Sequence, residues 1–210
     1  MKTYLDEYKA FIFDLDGTLI NSEKYHADGF SYAVEALSGY QLTPAERREF
    51  FEGHTNIFTP VLAARHGLNL DPDAVLAHKR EYVDQHFKLE ILPGVEAFVE
   101  KWRSCMRLAL ASNSPRHFVK RSLVDARMID VFESVVTADD VTRRKPDPEM
   151  YELTLKNLTL KPEDVMVFED SPAGVAAAQA AGCPVVMIDN GAGRFVDGVP
   201  RYTWKDLKQF

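Results

Sequence analysis

The segment AFIFDLDGTL, residues 10–19, decides how the rest of the chain is interpreted. A short apolar run ends in two carboxylates, Asp14 and Asp16, and Gly17 and Thr18 follow at once. The pattern predicts a buried strand that carries two acids into a tight loop, where glycine lets the backbone approach a ligand. Two acids so placed can supply a nucleophile, a proton donor and ligands for a hard cation. The segment therefore favours a magnesium-dependent phosphoryl-transfer enzyme.

Further apolar runs resemble buried strands, and helical segments separate them. With the first run, the predicted strands are 10–14, 107–112, 134–137, 165–169 and 184–188. Nearly continuous hydrophobicity is typical of parallel strands covered on both faces, and the alternation with helices predicts βαβ units. Helices are expected to begin at Ser114-Pro115, Asp147-Pro148 and Ser171-Pro172, each an N-cap residue before proline. The fold class is α/β, with a Rossmann-like parallel-sheet core.

The region between the first two strands contains no convincing strand. It predicts four helices, at about 23–38, 44–52, 56–66 and 72–88. The capping box Thr43-Pro44-Ala45-Glu46 and the pair Asp71-Pro72 are typical helix starts. We therefore predict an inserted α-helical, four-helix cap domain, residues 20–91, and an α/β catalytic core made of residues 1–19 and 92–210.

Composition excludes several classes of partner. The 210 residues are 46% hydrophobic and 27% charged, which is ordinary for a globular protein. The net charge of -7 argues against a nucleic-acid surface. No apolar run approaches the ~18 residues of a membrane span, and Cys105 and Cys183 form no metal or disulfide pattern. We expect a cytoplasmic protein with no nucleic-acid or membrane partner, and a monomer.

Candidate site residues fall at the carboxyl ends of the predicted strands, where open parallel sheets bind ligands. Asp14 closes the first strand, Ser112 closes the second, Lys145 follows the third, and Glu169 and Asp170 close the fourth. Taken singly, each is more often a cap, a loop hydroxyl or a solvated charge. Their joint placement at one edge of the sheet favours an active site. By contrast, the loop Asn190-Gly191-Ala192-Gly193 is weak evidence for any ligand.

These motifs resemble a known family. Asp14-Leu15-Asp16-Gly17-Thr18, Ser112, Lys145-Pro146-Asp147-Pro148 and Glu169-Asp170-Ser171-Pro172-Ala173-Gly174 are similar, in this order, to the four motifs of the haloacid dehalogenase superfamily. The resemblance covers essentially the whole chain. The inserted helices resemble the cap of the branch that contains β-phosphoglucomutase and sugar-phosphate phosphatases.

The resemblance implies a role for each motif residue. Asp14 is the expected nucleophile, which becomes a phosphoaspartate, and Asp16 is the expected general acid and then base. Ser112 and Lys145 are expected to hold the phosphoryl oxygens, with help from the backbone N–H of Asn113. The implied Mg²⁺ ligands are Asp14, Asp16 through its carbonyl oxygen, Glu169 and Asp170. An acid at position 16 favours phosphate esters over haloacids.

The cap residues bear on the substrate. The resemblance implies that His26, His54 and Asn56 contact it, although a solvent-exposed role on the cap is equally compatible with the sequence. β-Phosphoglucomutases carry an arginine where Asn56 stands, and asparagine brings no charge to a second phosphate. The leading hypothesis is therefore a phosphatase acting on a small phosphorylated metabolite, a sugar or polyol phosphate.

Two alternatives stay open. One is a phosphomutase of the β-phosphoglucomutase type, which a requirement for a bisphosphate activator would reveal. The other is a phosphoacceptor signalling module without turnover. Against the second, the phosphorylated aspartate of such a module ends the third strand, and the module carries no helical cap.

Overall fold

The structure is a computed structural model that describes residues 4–51 and 55–207. The chain forms two compact units. Unit 1 comprises Met1–Asn21 and Leu89–Phe210, and unit 2 comprises Ser22–Lys88. Across the described residues, no helix combines the length and the apolar character that a membrane crossing requires.

A parallel sheet forms the centre of unit 1. Its strands, within the described residues, are β1 (Ala10–Phe13), β2 (Arg107–Ala111), β3 (Ser134–Val136), β4 (Val165–Glu169), β5 (Val185–Ile188) and β6 (Arg201–Tyr202). Their order is β3-β2-β1-β4-β5-β6, and all pairs are parallel. The predicted α/β fold is confirmed. The sequence did not predict β6, because two residues are too few to show a hydrophobic period.

The described helices alternate with the strands or lie in the insertion. They are α1 (Glu23–Ser38), α2 (Pro44–Phe51), α3 (Thr55–His66), α4 (Pro72–His86), α5 (Val95–Trp102), α6 (Arg116–Asp125), α7 (Glu149–Leu158), α8 (Pro172–Ala180) and α9 (Trp204–Leu207). The first four belong to unit 2 and the others to unit 1. Short 3-10 turns at Tyr4–Glu7 and Pro162–Asp164 precede β1 and β4.

The two faces of the sheet are buried in different ways. On one face, Phe13 stacks on Phe168 with ring centroids 5.1 Å apart, and Phe98 packs on Trp204 at 4.9 Å. On the other face, Ile12 and Val167 join an aliphatic cluster. Because successive side chains of a strand point to opposite faces, the apolar run of β1 serves both layers. The packing of these buried side chains positions the strands, and so it also positions the acids that follow β1 and end β4.

Two of the predicted helix starts are wrong by one residue. Helix α6 begins at Arg116 after Pro115, and α7 begins at Glu149 after Pro148, so neither Ser114 nor Asp147 is the N-cap. The hydroxyl of Ser114 instead donates to Asp16 Oδ2. The third prediction is confirmed, since Ser171 caps α8 by accepting a hydrogen bond from the backbone N–H of Gly174 at 3.0 Å.

Unit 2 has a hydrophobic core of its own, formed by Phe30, Ala33, Val34, Leu62 and Val75. The predicted capping box is present. Thr43 N–H donates to Glu46 Oε2 at 2.9 Å, and Glu46 N–H donates to Thr43 Oγ1 at 3.2 Å. The side chain of Asp71 caps α4 in the predicted manner. The sequence signals of these two helix starts are therefore reliable.

Candidate active site

The adjacent central strands β1 and β4 bring three acids together. Asp14 follows β1, and its backbone N–H donates to the carbonyl oxygen of Phe168 at 3.0 Å. Glu169 ends β4 and Asp170 follows it, and all three acids are buried. The parallel pairing of the strands explains the placement, because both carboxyl ends lie at the same edge of the sheet.

Lys145 is a buried cation at this edge. Its ammonium donates to Asp14 Oδ1 at 2.8 Å, to Glu169 Oε1 at 2.6 Å and to the carbonyl oxygen of Ala111 at 2.7 Å. Only 3% of the side chain is exposed. Nζ also lies 4.9 Å from the centre of the Tyr151 ring, and the Tyr151 hydroxyl donates to Glu169 Oε1 at 2.9 Å. The lysine is thus oriented by groups from several elements.

The electrostatics show a surplus of negative charge. Burial raises the pKa of Asp14 well above its usual range, against the opposing effect of Lys145 and with the help of Glu169. Burial, Glu169 and Asp14 likewise raise the pKa of Asp170. Burial acts to lower the pKa of Lys145, but Asp14 and Glu169 outweigh it and place that pKa well above its ordinary value. A bound divalent cation would favour the charged form of both aspartates.

The acidic cluster fits a magnesium ion. One oxygen from each of Asp14, Glu169 and Asp170 lies within 4.8 Å of the others. An all-oxygen set with few carboxylates is what Mg²⁺ prefers.

Glu169 is the least available of the three acids. Its Oε1 accepts from Lys145 and Tyr151, and its Oε2 accepts from Asp170 N–H, from Ser171 N–H and from the Ser171 hydroxyl at 3.0–3.2 Å. These donors fill the lone-pair positions of a carboxylate. The fit to a metal is therefore better for Asp14 and Asp170 than for Glu169, whose contacts favour a role in positioning Lys145.

Asp16 is held by two serines of the loop after β2. Its Oδ2 accepts from the Ser114 hydroxyl at 2.6 Å and from the Ser112 hydroxyl at 3.4 Å. Ser112 Oγ in turn accepts from the backbone N–H of Ser114 at 3.0 Å. Asp16 is partly exposed, unlike Asp14. The structure thus brings Asp14, Asp16, Ser112 and Lys145 to one edge of the sheet.

The Asn113 side chain links the loop after β2 to the backbone of Lys145. Its Oδ1 accepts from the backbone N–H of Lys145 at 3.1 Å, and its Nδ2 donates to the carbonyl oxygen of Lys145 at 3.3 Å. The side chain therefore fixes the backbone that carries the lysine. The expected contribution of Asn113 to phosphoryl binding through its backbone N–H remains a prediction.

The candidate substrate residues of the insertion belong to unit 2. His26 lies on α1 and is partly buried, and Asn56 lies in the first turn of α3 and is exposed. His54 falls outside the described residues.

Sequence reasoning missed Ser114, Tyr151, Asn190 and Arg194. Serine before proline is typical of a helix cap, so the sequence predicts that role for Ser114 rather than a contact with Asp16. Tyr151 lies within a buried helical face, where no local pattern distinguishes it from core. Arg194 donates to Asp170 Oδ2 at 2.7 Å from 24 residues away along the chain. The glycine-rich loop that precedes this arginine is a sequence signal, but by itself it indicates no particular ligand.

Comparisons with known proteins agree with this geometry. The sequence model of the haloacid dehalogenase-like hydrolases matches residues 11–188. The validoxylamine A 7'-phosphate phosphatase of Streptomyces hygroscopicus subsp. limoneus is 30% identical over 83% of this chain and 83% of its own length. A phosphatase of phosphorylated carbohydrates from Thermotoga maritima is 32% identical over 83% of this chain and 82% of its own.

A solved structure shares the fold. CbbY from Rhodobacter sphaeroides in complex with phosphate has a TM-score of 0.78 and is 25% identical, covering 95% of this chain and 96% of its own. The match to the family model spans the first motif, the serine, the lysine and the acidic pair. The chain therefore belongs to the haloacid dehalogenase-like hydrolase family.

Proposed function

We propose that this phosphoric monoester hydrolase removes phosphate from a small sugar or polyol phosphate through a phosphoaspartate on Asp14. The observation that carries the proposal is the buried Lys145 ammonium, held between Asp14 Oδ1 and Glu169 Oε1 at the strand ends. It fixes a carboxylate next to a positive charge that can offset the negative charge of phosphoryl oxygens.

The proposed reaction has two displacements. A carboxylate oxygen of Asp14 attacks phosphorus, and the bond to the sugar oxygen breaks while Asp16 gives that oxygen a proton. Asp16 then takes a proton from water, which attacks the phosphoaspartate, releases inorganic phosphate and restores Asp14. The hydroxyls of Ser112 and Ser114 donate to Asp16 Oδ2 and so keep this side chain in position for both displacements.

Charge stabilisation is shared in this proposal. Lys145 stays protonated and neutralises the phosphoryl oxygens from one side. Mg²⁺, held by Asp14, Asp170 and the carbonyl oxygen of Asp16, would supply the remaining positive charge when bound. Glu169 keeps Lys145 in place and leaves the metal to the other acids.

The substrate class rests on the relatives and on unit 2. Two of the relatives are named as phosphatases of phosphorylated carbohydrates and of validoxylamine A 7'-phosphate, and others as phosphoglycolate phosphatases. We assign unit 2 the role of a cap that selects the substrate, with His26, His54 and Asn56 as the contacts to its hydroxyl groups. Asn56 has no charge with which to bind a second phosphate, which favours hydrolysis over a mutase reaction.

A panel of phosphorylated sugars, polyols, nucleotides and glycolate tests this function. Phosphate release is measured with Mg²⁺, with EDTA, and with Mg²⁺ restored after EDTA. We expect release from a sugar or polyol phosphate that EDTA abolishes and Mg²⁺ restores, and that falls by several decades in Asp14→Asn. The exposed acid Asp130 provides a matched control, since Asp130→Asn should leave the rate unchanged.

Other outcomes would replace the proposal. Isomerisation of glucose 1-phosphate only in the presence of a bisphosphate would identify a mutase. Transfer of a single phosphate per chain, without turnover, would identify a phosphoacceptor module.

A further inference from the structure

The loop that follows β5 carries an arginine into the acidic cluster, and the proposed reaction does not use it. The segment is Asn190-Gly191-Ala192-Gly193-Arg194. Gly191 and Gly193 have φ values of 89° and 76°, which glycine adopts without strain. These turns return the chain toward the sheet edge, where the Arg194 side chain is only 8% exposed.

Arg194 and Asn190 bind the same oxygen of Asp170. Arg194 Nη2 donates to Asp170 Oδ2 at 2.7 Å, and Asn190 Nδ2 donates to it at 3.1 Å. Among the described residues, the other oxygen, Oδ1, has one long contact, at 3.4 Å, with the Thr18 hydroxyl. The two oxygens are therefore unequal, because Oδ2 is occupied by a charged and a neutral donor.

The same loop also fixes the backbone of the first motif. Asn190 Nδ2 donates to the carbonyl oxygen of Gly17 at 2.9 Å. A Cβ at Gly17 would lie 2.2 Å from Asp170 Oδ2, so these segments are in close contact. The far end of the loop is anchored as well, since Arg201 donates to the carbonyl oxygen of Arg194 at 2.9 Å and pairs with Asp189 at 3.2 Å. The loop that carries Arg194 is therefore held at both ends.

A carboxylate held in this way can offer a metal only one oxygen. Mg²⁺ demands near-octahedral geometry and suits single-oxygen ligands, whereas Ca²⁺ accepts both oxygens of a carboxylate and a larger coordination number. Groups that hydrogen-bond to a metal ligand without touching the metal orient that ligand. Their loss commonly changes metal affinity by roughly 10- to 100-fold.

We propose that Arg194, assisted by Asn190, is a positioning residue that restricts Asp170 to coordination through Oδ1 and so favours Mg²⁺ over Ca²⁺. The inference rests on the metal site of the proposed function. It assigns a role to a loop that lies outside the four motifs and beyond residues 11–188, which the family model matches. An arginine stays protonated at neutral pH, so the restraint is permanent under working conditions.

Calorimetric titration of the intact protein with Mg²⁺ and with Ca²⁺ tests the role of Arg194. The variants are Arg194→Met, Arg194→Lys and the control Arg121→Met, which makes the same charge change at a surface pair with Asp125. We expect Arg194→Met to shift the ratio of the two dissociation constants toward Ca²⁺ by about tenfold. Arg194→Lys should shift it less, because a lysine keeps the charge, and Arg121→Met should not shift it.

The ratio separates positioning from simple charge repulsion. If Arg194 only repelled cations, its removal would tighten the binding of both metals equally, and that result would overturn the proposal, as would an unchanged ratio. Should Arg194→Met fail to fold by circular dichroism, Asn190→Ala removes the other donor to Oδ2 and must shift the ratio in the same direction. Wild-type protein that binds no Mg²⁺ and releases no phosphate would instead refute the proposed function, whereas normal wild-type behaviour with an unshifted ratio refutes this inference alone.

Discussion

Lys145 is the residue on which the buried charges of the site depend. It is the shared partner of Asp14 and Glu169, at 2.8 and 2.6 Å. Its pKa is raised in the folded state, so its stabilising contribution is present below an unfolded pKa of about 10.4 and is lost only as the pH rises through the folded value. At neutral pH the contribution is therefore complete.

We expect Lys145→Met to destabilise the protein by about 3–5 kcal/mol at neutral pH, because buried carboxylates lose their counter-charge. The loss should shrink toward about pH 4, since a buried carboxyl with a raised pKa favours the fold only when it is protonated. Urea unfolding at two pH values measures this difference. Lys161→Met, at an exposed lysine paired with Glu163, is the control, and equal stability of the Lys145 variant and wild type at neutral pH would contradict the account.

Helix α8 shows how an element positions a charge. Gly174 lies in its first turn, and a Cβ there would come within 1.8 Å of Glu169 Oε1. The absence of a side chain lets the helix start pack against the carboxylate that holds Lys145.

In a helix, replacing glycine with alanine is normally stabilising by about 0.5–1 kcal/mol. We predict the opposite for Gly174→Ala, with lower thermal stability and a phosphatase rate reduced by at least about tenfold, because Glu169 must move away from Lys145. Gln179→Ala, at an exposed position of the same helix, should leave both quantities nearly unchanged. A more stable and fully active Gly174→Ala would show that Glu169 does not position the lysine.

Helix α2 depends on the carboxylate of its capping box. Burial of Glu46 acts to raise its pKa, but hydrogen bonds from Thr43, His66 and Tyr40 outweigh it and lower the pKa to about 2. A carboxyl with a lowered pKa stabilises the fold above its unfolded pKa of about 4.3, and this contribution is lost as the pH falls toward about 2.

We therefore expect Glu46→Gln to cost about 1–2 kcal/mol at neutral pH. The difference from wild type should decrease steadily below about pH 4. Chemical unfolding followed by circular dichroism across this range measures it. Glu49→Gln, a change on α2 that alters an exposed pair with Arg65 of α3, should cost less. A difference that does not change with pH would place the effect of Glu46 in packing rather than in charge.

For the whole molecule, the sequence predicted the features that depend on residues close together along the chain. Runs of apolar residues located the main strands, and the strand ends located Asp14, Ser112, Glu169 and Asp170. Proline and capping residues located the helix starts to within two residues. What it did not predict depends on residues distant along the chain. Arg194 reaches Asp170 through two glycine turns, and Ser114, which precedes α6, contacts Asp16 from 98 residues away along the chain.

The central claim is that Asp14 carries the phosphoryl group during turnover, and one measurement addresses it directly. The enzyme is mixed with a good sugar-phosphate substrate and Mg²⁺, quenched in acid during steady-state turnover, digested, and analysed by mass spectrometry. The account predicts that the peptide containing Asp14 gains the mass of one phosphoryl group and loses it on treatment with hydroxylamine. Phosphate release at the full rate with an unmodified Asp14 peptide, or with the phosphoryl group on another residue, would contradict it.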